Sequence, residues 1–292
     1  MKKLFLYLED ILMSRKWVLL FVTLSIAVVP TLTNLLFTSD KLRALLDNQL
    51  YFVGLGVVVY TIWLTLLYYL KKKDTIKFRH LSLTRSEITK GLLLSVVIYI
   101  GVNIALIAGV LLKGESLALA KSFWSVSGVA KALGVFFFNI LLGAFIEELL
   151  CRAYLIPQGY LLLQKKIKYK VVALLAAVIL TQLIFALAHL PAELFRFEKS
   201  LASIVSNQGQ LFMSGLILSL VYLRTRNVVF VAVFHALMNY KLPIIDATDA
   251  DFKFYYLVGA FVVAVFWDKI MKPVGAGKQV STEADFVPGN LA

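Results

Sequence analysis

Two adjacent glutamates, Glu147 and Glu148, and Arg152 one turn later lie in a stretch from Val129 to Ile156 that is otherwise apolar enough to cross a membrane. An ionisable side chain near the bilayer centre costs about 2.5–3.5 kcal/mol on insertion scales, so three of them within two helical turns mark a place where chemistry is done. Residues four apart share a helix face, and the spacing therefore pairs Glu148 with Arg152. Glu147, about 100° round the helix, is left as the carboxylate without an obvious partner. Three further turn-spaced pairs follow: Phe185 with His189, His235 with Asn239, and Tyr222 with Arg226 at the tight turn Arg224-Thr225-Arg226-Asn227. The chain has three histidines, and only His80, in a basic loop, falls outside an apolar helix.

A carboxylate, two imidazoles and an amide on three apolar helices are the groups needed to activate a water and to stabilise an oxyanion. Each has a plainer role by itself. A histidine in a membrane helix often only packs through a hydrogen bond, and Glu148 with Arg152 serves equally well as a brace between helices. Glu147, His189 and His235 also form a set that can hold Zn²⁺ with a position open for water. The spacing is not the His-Glu-x-x-His of soluble zinc proteases, and we expect no required cofactor, with Zn²⁺ as the alternative.

The elements that must position these groups follow from composition. Hydrophobic residues make up 60% and charged residues 16% of the 292 residues, with a mean hydropathy of +0.84, too apolar for a soluble globular domain. The expected fold is all-α, a polytopic bundle of about eight transmembrane helices. The spans fall near Trp17–Phe37, Leu50–Leu70, Gly91–Leu112, Val129–Ile156, Val171–Leu190, Gly209–Leu223, Val228–Ile245 and Phe254–Ile270, the ends of the sixth and seventh being least defined. Residues 1–16 read as an amphipathic segment on the membrane surface, 17–271 as one membrane domain, and 272–292 as a disordered tail. A Thr84-Arg85-Ser86-Glu87 capping box starts the third span.

The net charge of +13 is topogenic, with no call for a nucleic-acid partner. Twenty of the thirty basic residues collect on one side when loops are assigned alternately, which predicts that both termini are cytoplasmic. Cys151 stands alone, so no internal disulfide is expected. If the fourth span continues past Pro157 to Gln164, Glu147 lies ~26 Å and His189 ~28 Å from the cytoplasmic ends of their helices, whereas His235 lies only ~12 Å beyond the Asn227 turn. That turn must therefore sit well inside the membrane plane, beneath a vestibule that we expect to open to the cytoplasm and to be lined by Tyr222, Arg224 and Arg226. Pro157 breaking the helix is the competing possibility.

Glu147-Glu148-x-x-x-Arg152, Phe185-x-x-x-His189 and His235-x-x-x-Asn239, in that order, resemble the three motifs of the CAAX-protease and bacteriocin-processing family, over about residues 129–240. The resemblance implies an intramembrane endopeptidase. In that family's scheme Glu147 is the general base, positioning a water with His189. His235 and Asn239 hold the oxyanion, while Glu148, Arg152 and Phe185 support the site. The expected partners are the bilayer and a membrane-associated protein or peptide substrate, and the expected location is a bacterial cytoplasmic membrane. A scaffold or immunity protein acting by partner binding is the alternative from the same family, and a proton-coupled transporter is a third reading, weakened by the lack of an internal repeat.

Overall fold

The apolar runs become helices, and the helices are laid side by side. The computed structural model describes residues 2–120, 126–242, 244–245 and 249–270. It is helical throughout: α1 (Lys2–Asp10), α2 (Lys16–Leu35), α3 (Asp40–Leu46), α4 (Gln49–Lys73) and α5 (Arg85–Leu112) precede one continuous helix, α6, over residues 126–164. Then come α7 (Lys170–Ala188), a π turn (Ala192–Arg196), α8 (Leu201–Thr225), α9 (Val228–Asn239) and α10 (Asp249–Ile270). Six helical stretches are long and apolar enough to span a bilayer, beginning at Lys16, Leu50, Phe78, Gly128, Lys170 and Leu201, while Val228–Asn239 and Phe254–Trp267 are shorter apolar helices. The architecture is a polytopic helical membrane bundle. The tail beyond residue 270 lies outside the described residues.

The helix starts follow local chemistry. Thr84 and Glu87 form the expected capping box: the Thr84 hydroxyl accepts from the Glu87 N–H, and the Glu87 carboxylate accepts from the Thr84 N–H at 2.9 Å. Ser200 caps α8, so this helix begins at Leu201, two turns before the expected Gly209. Asn227 caps α9 by accepting from the Phe230 N–H. Its amide donates to the carbonyl of Glu87, and Gly91 faces the same turn, where a Cβ would stand 2.5 Å from Asn227 Oδ1. The turn is thereby seated inside the bundle, one to two turns from the start of α5.

The two ends of the bundle differ. At the end carrying α1, polar pairs tie the elements together: Ser14 N–H to Gln158, Arg15 N–H to Asp74, and the Glu9–Lys170 ion pair. The apolar face of α1 turns onto protein, where Leu8 is buried among Ile156, Tyr160, Ala173, Leu174, Ala177 and Val178. At the other end, α2 and α4 meet where Phe37, in the 3₁₀ turn Leu36–Thr38 that follows α2, lies with its ring 6.5 Å from that of Phe52, and where Trp63 donates to Ser25 deeper in. Between those two contacts they stand apart, and the space opens onto α6 and α7.

Candidate active site

Glu147 and Glu148 lie between two π-helical segments of α6, Phe136–Leu141 and Leu149–Leu155, in the seven α-helical residues Leu142–Glu148. The second π segment runs up to Pro157, whose missing N–H would interrupt an ordinary α-helix, and α6 continues to Gln164 without a break. Of the two alternatives open at Pro157, the structure has the helix carried past it, and the wider turn is the reason.

The two glutamates meet different surroundings. Glu148 and Arg152 are fully buried, with Arg152 Nη1 3.1 Å from Glu148 Oε1. The same Oε1 lies 2.8 Å from His235 Nδ1. One carboxylate oxygen thus joins α6 to α9 and fixes the His235 ring with Nδ1–H toward Glu148 and Nε2 toward Glu147. Arg152 is held further by Gln182 Oε1 at 3.0 Å, the Gly215 carbonyl at 3.4 Å, and the Phe185 ring, 4.3 Å from its guanidinium carbon. Gly215 leaves room for this packing, since a Cβ there would lie 2.4 Å from Gln182 Oε1 and force the amide or the helix to shift. Such a pair is costly to bury, and the hydrogen bonds and ring contact around it offset only part of the desolvation, since Glu148 Oε2 and Arg152 Nε are buried without a hydrogen bond.

Glu147 is 35% exposed and faces the open space. Its Oε1 is 3.9 Å from His189 Nε2, and its Oε2 is 4.0 Å from His235 Nε2. Neither separation is a direct hydrogen bond. His189 closes α7 and points its Nδ1 at the Phe185 carbonyl, 2.9 Å away, an acceptor that puts the proton on Nδ1 and leaves Nε2 with its lone pair. Phe185 packs edge-on against His189 at 4.8 Å and lies 6.2 Å from the His235 ring, so one phenyl group wedges both imidazoles.

These groups border a cavity of about 410 Å³ to which Glu147, His189, Phe185 and Asn239 all contribute. Its walls are apolar residues of α2 and α4, among them Ile26, Val29, Leu55, Val59 and Trp63. Pro30 also lines it, and leaves the Ile26 carbonyl without its helical donor. The structure therefore brings Glu147, Glu148, Arg152, Phe185, His189, His235 and Asn239 together. It does not bring Tyr222, Arg224 or Arg226 to the cavity. Tyr222 is buried against Tyr7, with the hydroxyls 3.0 Å apart, Arg224 donates to the Ala264 carbonyl, and Arg226 lies over the Tyr7 ring. All three belong to the end of the bundle that carries α1, whereas the cavity is lined from the opposite half. The expected vestibule was placed by the sequence neighbours of the Asn227 turn, but α9 lifts His235 and Asn239 away from that turn.

Three contributors carried no chemical signal in the sequence. Gln182 was visible only as an amide in an apolar run, Tyr60 as one aromatic residue of a lipid-facing helix, and Arg196 as a cation in an aromatic loop. Among the described residues, no group of three or more His, Cys, Asp or Glu side chains is arranged to hold a metal ion.

Residues 129–241 match the family model described as type II CAAX prenyl endopeptidase, Rce1-like. Comparison with curated proteins and with solved structures finds no match. The matched segment coincides with the one that carries the three motifs, and it shows the family resemblance read from them. It supports a CAAX-type intramembrane protease, and a protease implies a protein or peptide as substrate.

Proposed function

We propose that this protein is an intramembrane endopeptidase that hydrolyses a peptide bond of a membrane-associated protein or peptide, using a water activated by Glu147 and His189. The observation that carries this reading is the placement of a carboxylate with a third of its surface open between two imidazole Nε2 atoms, at 3.9 and 4.0 Å, on the border of an apolar cavity. A water making hydrogen bonds of about 2.8 Å to both Glu147 and His189 would see them at an angle of roughly 90°, close to its own bonding geometry. It donates one proton to each and keeps a lone pair for the scissile carbonyl carbon.

In the proposed sequence Glu147 takes the proton of that water as its oxygen attacks, the carbonyl oxygen becomes an oxyanion, and the C–N bond breaks as Glu147 returns the proton to the leaving amine. His235 and Asn239 are the oxyanion donors. Glu148, 2.8 Å from Nδ1, fixes the His235 ring so that Nε2 is the nitrogen left to face the oxyanion. No step is routed through a metal. The crowding of basic residues at the end that carries α1 supports cytoplasmic termini, and the location proposed with them is a bacterial cytoplasmic membrane.

The test compares termini of membrane-associated peptides across the proteome between cells with the wild type and cells with Glu147→Gln at matched expression, each with and without a chelator. Termini found only with the wild type are expected, unchanged by the chelator. Identical profiles would sink the protease reading, and loss on chelation would return the mechanism to zinc.

A further inference from the structure

The basic connections of the chain gather at one end of the bundle. Residues 71–79, 165–170 and 224–226 carry eleven bases and one acid. All three meet α1 or the residues just after it, through Asp74 with the Arg15 N–H, Lys165 with Met13, and Arg226 over the Tyr7 ring. The two connections beside the cavity are balanced instead, with four acids and four bases at residues 40–47 and 193–199. Short connections rich in lysine and arginine stay in the cytoplasm, and balanced ones cross the membrane. By that rule the α1 end faces the cytoplasm. Four helices then give the depth of the cavity, each counted from its basic end at 1.5 Å per residue. The cavity begins ~15 Å along α2, at Ile26, and ~15 Å along α4, at Trp63, and it extends to ~32 Å at Phe37 and Phe52. Phe185 lies ~22 Å along α7 and Glu147 ~26 Å along α6. The hydrocarbon core is about 30 Å thick, so all four place the cavity in the half remote from the basic end.

Resting on the protease reading of this cavity, we propose that its substrate is an exported or membrane-spanning protein or peptide, cut in the extracytoplasmic half of the bilayer. A protein anchored only to the inner leaflet is excluded by the same geometry. It would have to pass the α1 end, where Ser14 is tied to Gln158, Arg15 to Asp74 and Glu9 to Lys170, and then carry an unpaired main chain through half the hydrocarbon core. The apolar walls at Val29, Leu55 and Val59 call for apolar residues beside the bond. The charged connections above them suit a hydrophilic flank in the extracytoplasmic water. The bond therefore lies where a membrane-inserted stretch gives way to its outer flank. The reaction that supplies such a substrate is translocation or membrane insertion, and cleavage follows it.

The experiment has two arms, and the first needs no activity. The full chain is expressed in bacterial spheroplasts with Cys151→Ala, which removes its one thiol. Single cysteines are then added by Asn34→Cys in the cavity wall, by Lys41→Cys on the surface of the same end, and by Lys73→Cys and Lys168→Cys at the α1 end. A membrane-impermeant maleimide should label the Asn34 and Lys41 variants fully in intact spheroplasts, and the Lys73 and Lys168 variants only after permeabilisation. The reverse pattern, labelling of both ends from outside, or an Asn34 variant that labels only after permeabilisation or not at all would overturn the proposal. The second arm maps the peptide termini lost in Glu147→Gln cells onto the topology of the proteins that carry them. They should fall on the extracytoplasmic side, at the ends of apolar stretches. Dependent termini on cytoplasmic segments would reject the substrate class and leave the protease intact. An outward-facing cavity with no dependent termini would reject the protease, and the substrate with it, and leave only the orientation.

Discussion

Glu147 and Glu148 are neighbours in the chain, yet one faces a cavity and the other is sealed among partners. Glu148 shares a single oxygen between Arg152 and His235 and has no exposed surface, whereas Glu147 stands about 4 Å from two imidazoles with a third of its surface open. The difference separates two tasks that both need a carboxylate. A brace must be satisfied, because an unpaired buried charge costs several kcal/mol. A base must be left unsatisfied until water and substrate arrive, since every hydrogen bond it makes beforehand is one it must give up in order to take a proton. A helix supplies both from adjacent residues because successive side chains are turned by about 100°.

The largest effect expected from this contrast is in Glu147→Gln, which keeps the shape and removes the proposed base. Turnover should fall by about 10²–10⁴-fold, the usual worth of general-base catalysis, with the thermal midpoint of the detergent-solubilised protein nearly unchanged. Retained turnover would move the base elsewhere. Arg152→Ala attacks the brace instead. It strands Glu148 in the core, and stability should drop by about 3–5 kcal/mol, read from denaturation in mixed micelles, with activity lost in consequence. A stable, inactive Arg152→Ala protein would place Arg152 on the chemical side of the contrast. Asn239→Ala should lower kcat by about 10²–10³-fold with KM little altered, because the oxyanion exists only in the transition state. A change confined to KM would make Asn239 a binding group.

Much of the brace and of the surroundings of the proposed base was legible in the sequence, and the physical reason is local periodicity. Glu148 with Arg152, and Phe185 with His189, meet because residues four apart on one helix must meet, whatever the rest of the fold does. The contact between Glu148 and His235 was not legible, since it depends on how α9 crosses α6, and that is set by the seating of Asn227 against Glu87 and Gly91. The cavity was hidden for a different reason. Its walls come from α2 and α4, whose Ile26, Val29, Leu55 and Val59 are indistinguishable in type from residues that face lipid. Polar residues close to a motif were a poor guide to it: Tyr222, Arg224 and Arg226 precede the α9 motif in the chain, yet are spent on Tyr7 and Ala264 at the far end. Arg196, with no motif around it, lines the cavity.

A smaller effect tests how tightly the brace is packed. Gly215→Ala would put a methyl group 2.4 Å from Gln182 Oε1 and 3.3 Å from Arg152 Nη2, so either the amide swings away or α8 shifts outward. Overpacking of this kind costs about 1–3 kcal/mol. Because the displaced groups hold Arg152 and not Glu147, stability should fall with most of kcat retained. A large loss of kcat with full stability would show that the brace also tunes the chemistry.

The smallest effect lies farthest from the cavity, where α1 is pinned by the Glu9–Lys170 pair. The hydrogen bond from Lys170 holds the Glu9 carboxyl below its ordinary value of 4.5, and the field of the same ammonium adds to it. A depressed folded-state value means that this contribution is fully present above about 4.5 and is lost as the pH falls through the lowered value. The pair is exposed, so α1 should loosen without leaving: Leu8 and the Phe5–Tyr160 contact hold it by burial that pH does not touch. Hydrogen exchange of the α1 amides, compared between neutral pH and pH below 4 after correction for intrinsic rates, should show a modest rise that Glu9→Gln already produces at neutral pH. Equal protection in all three cases would leave apolar burial as the sole anchor of α1, and a rise spreading to the amides around Glu147 would couple the two ends of the bundle that the structure keeps apart.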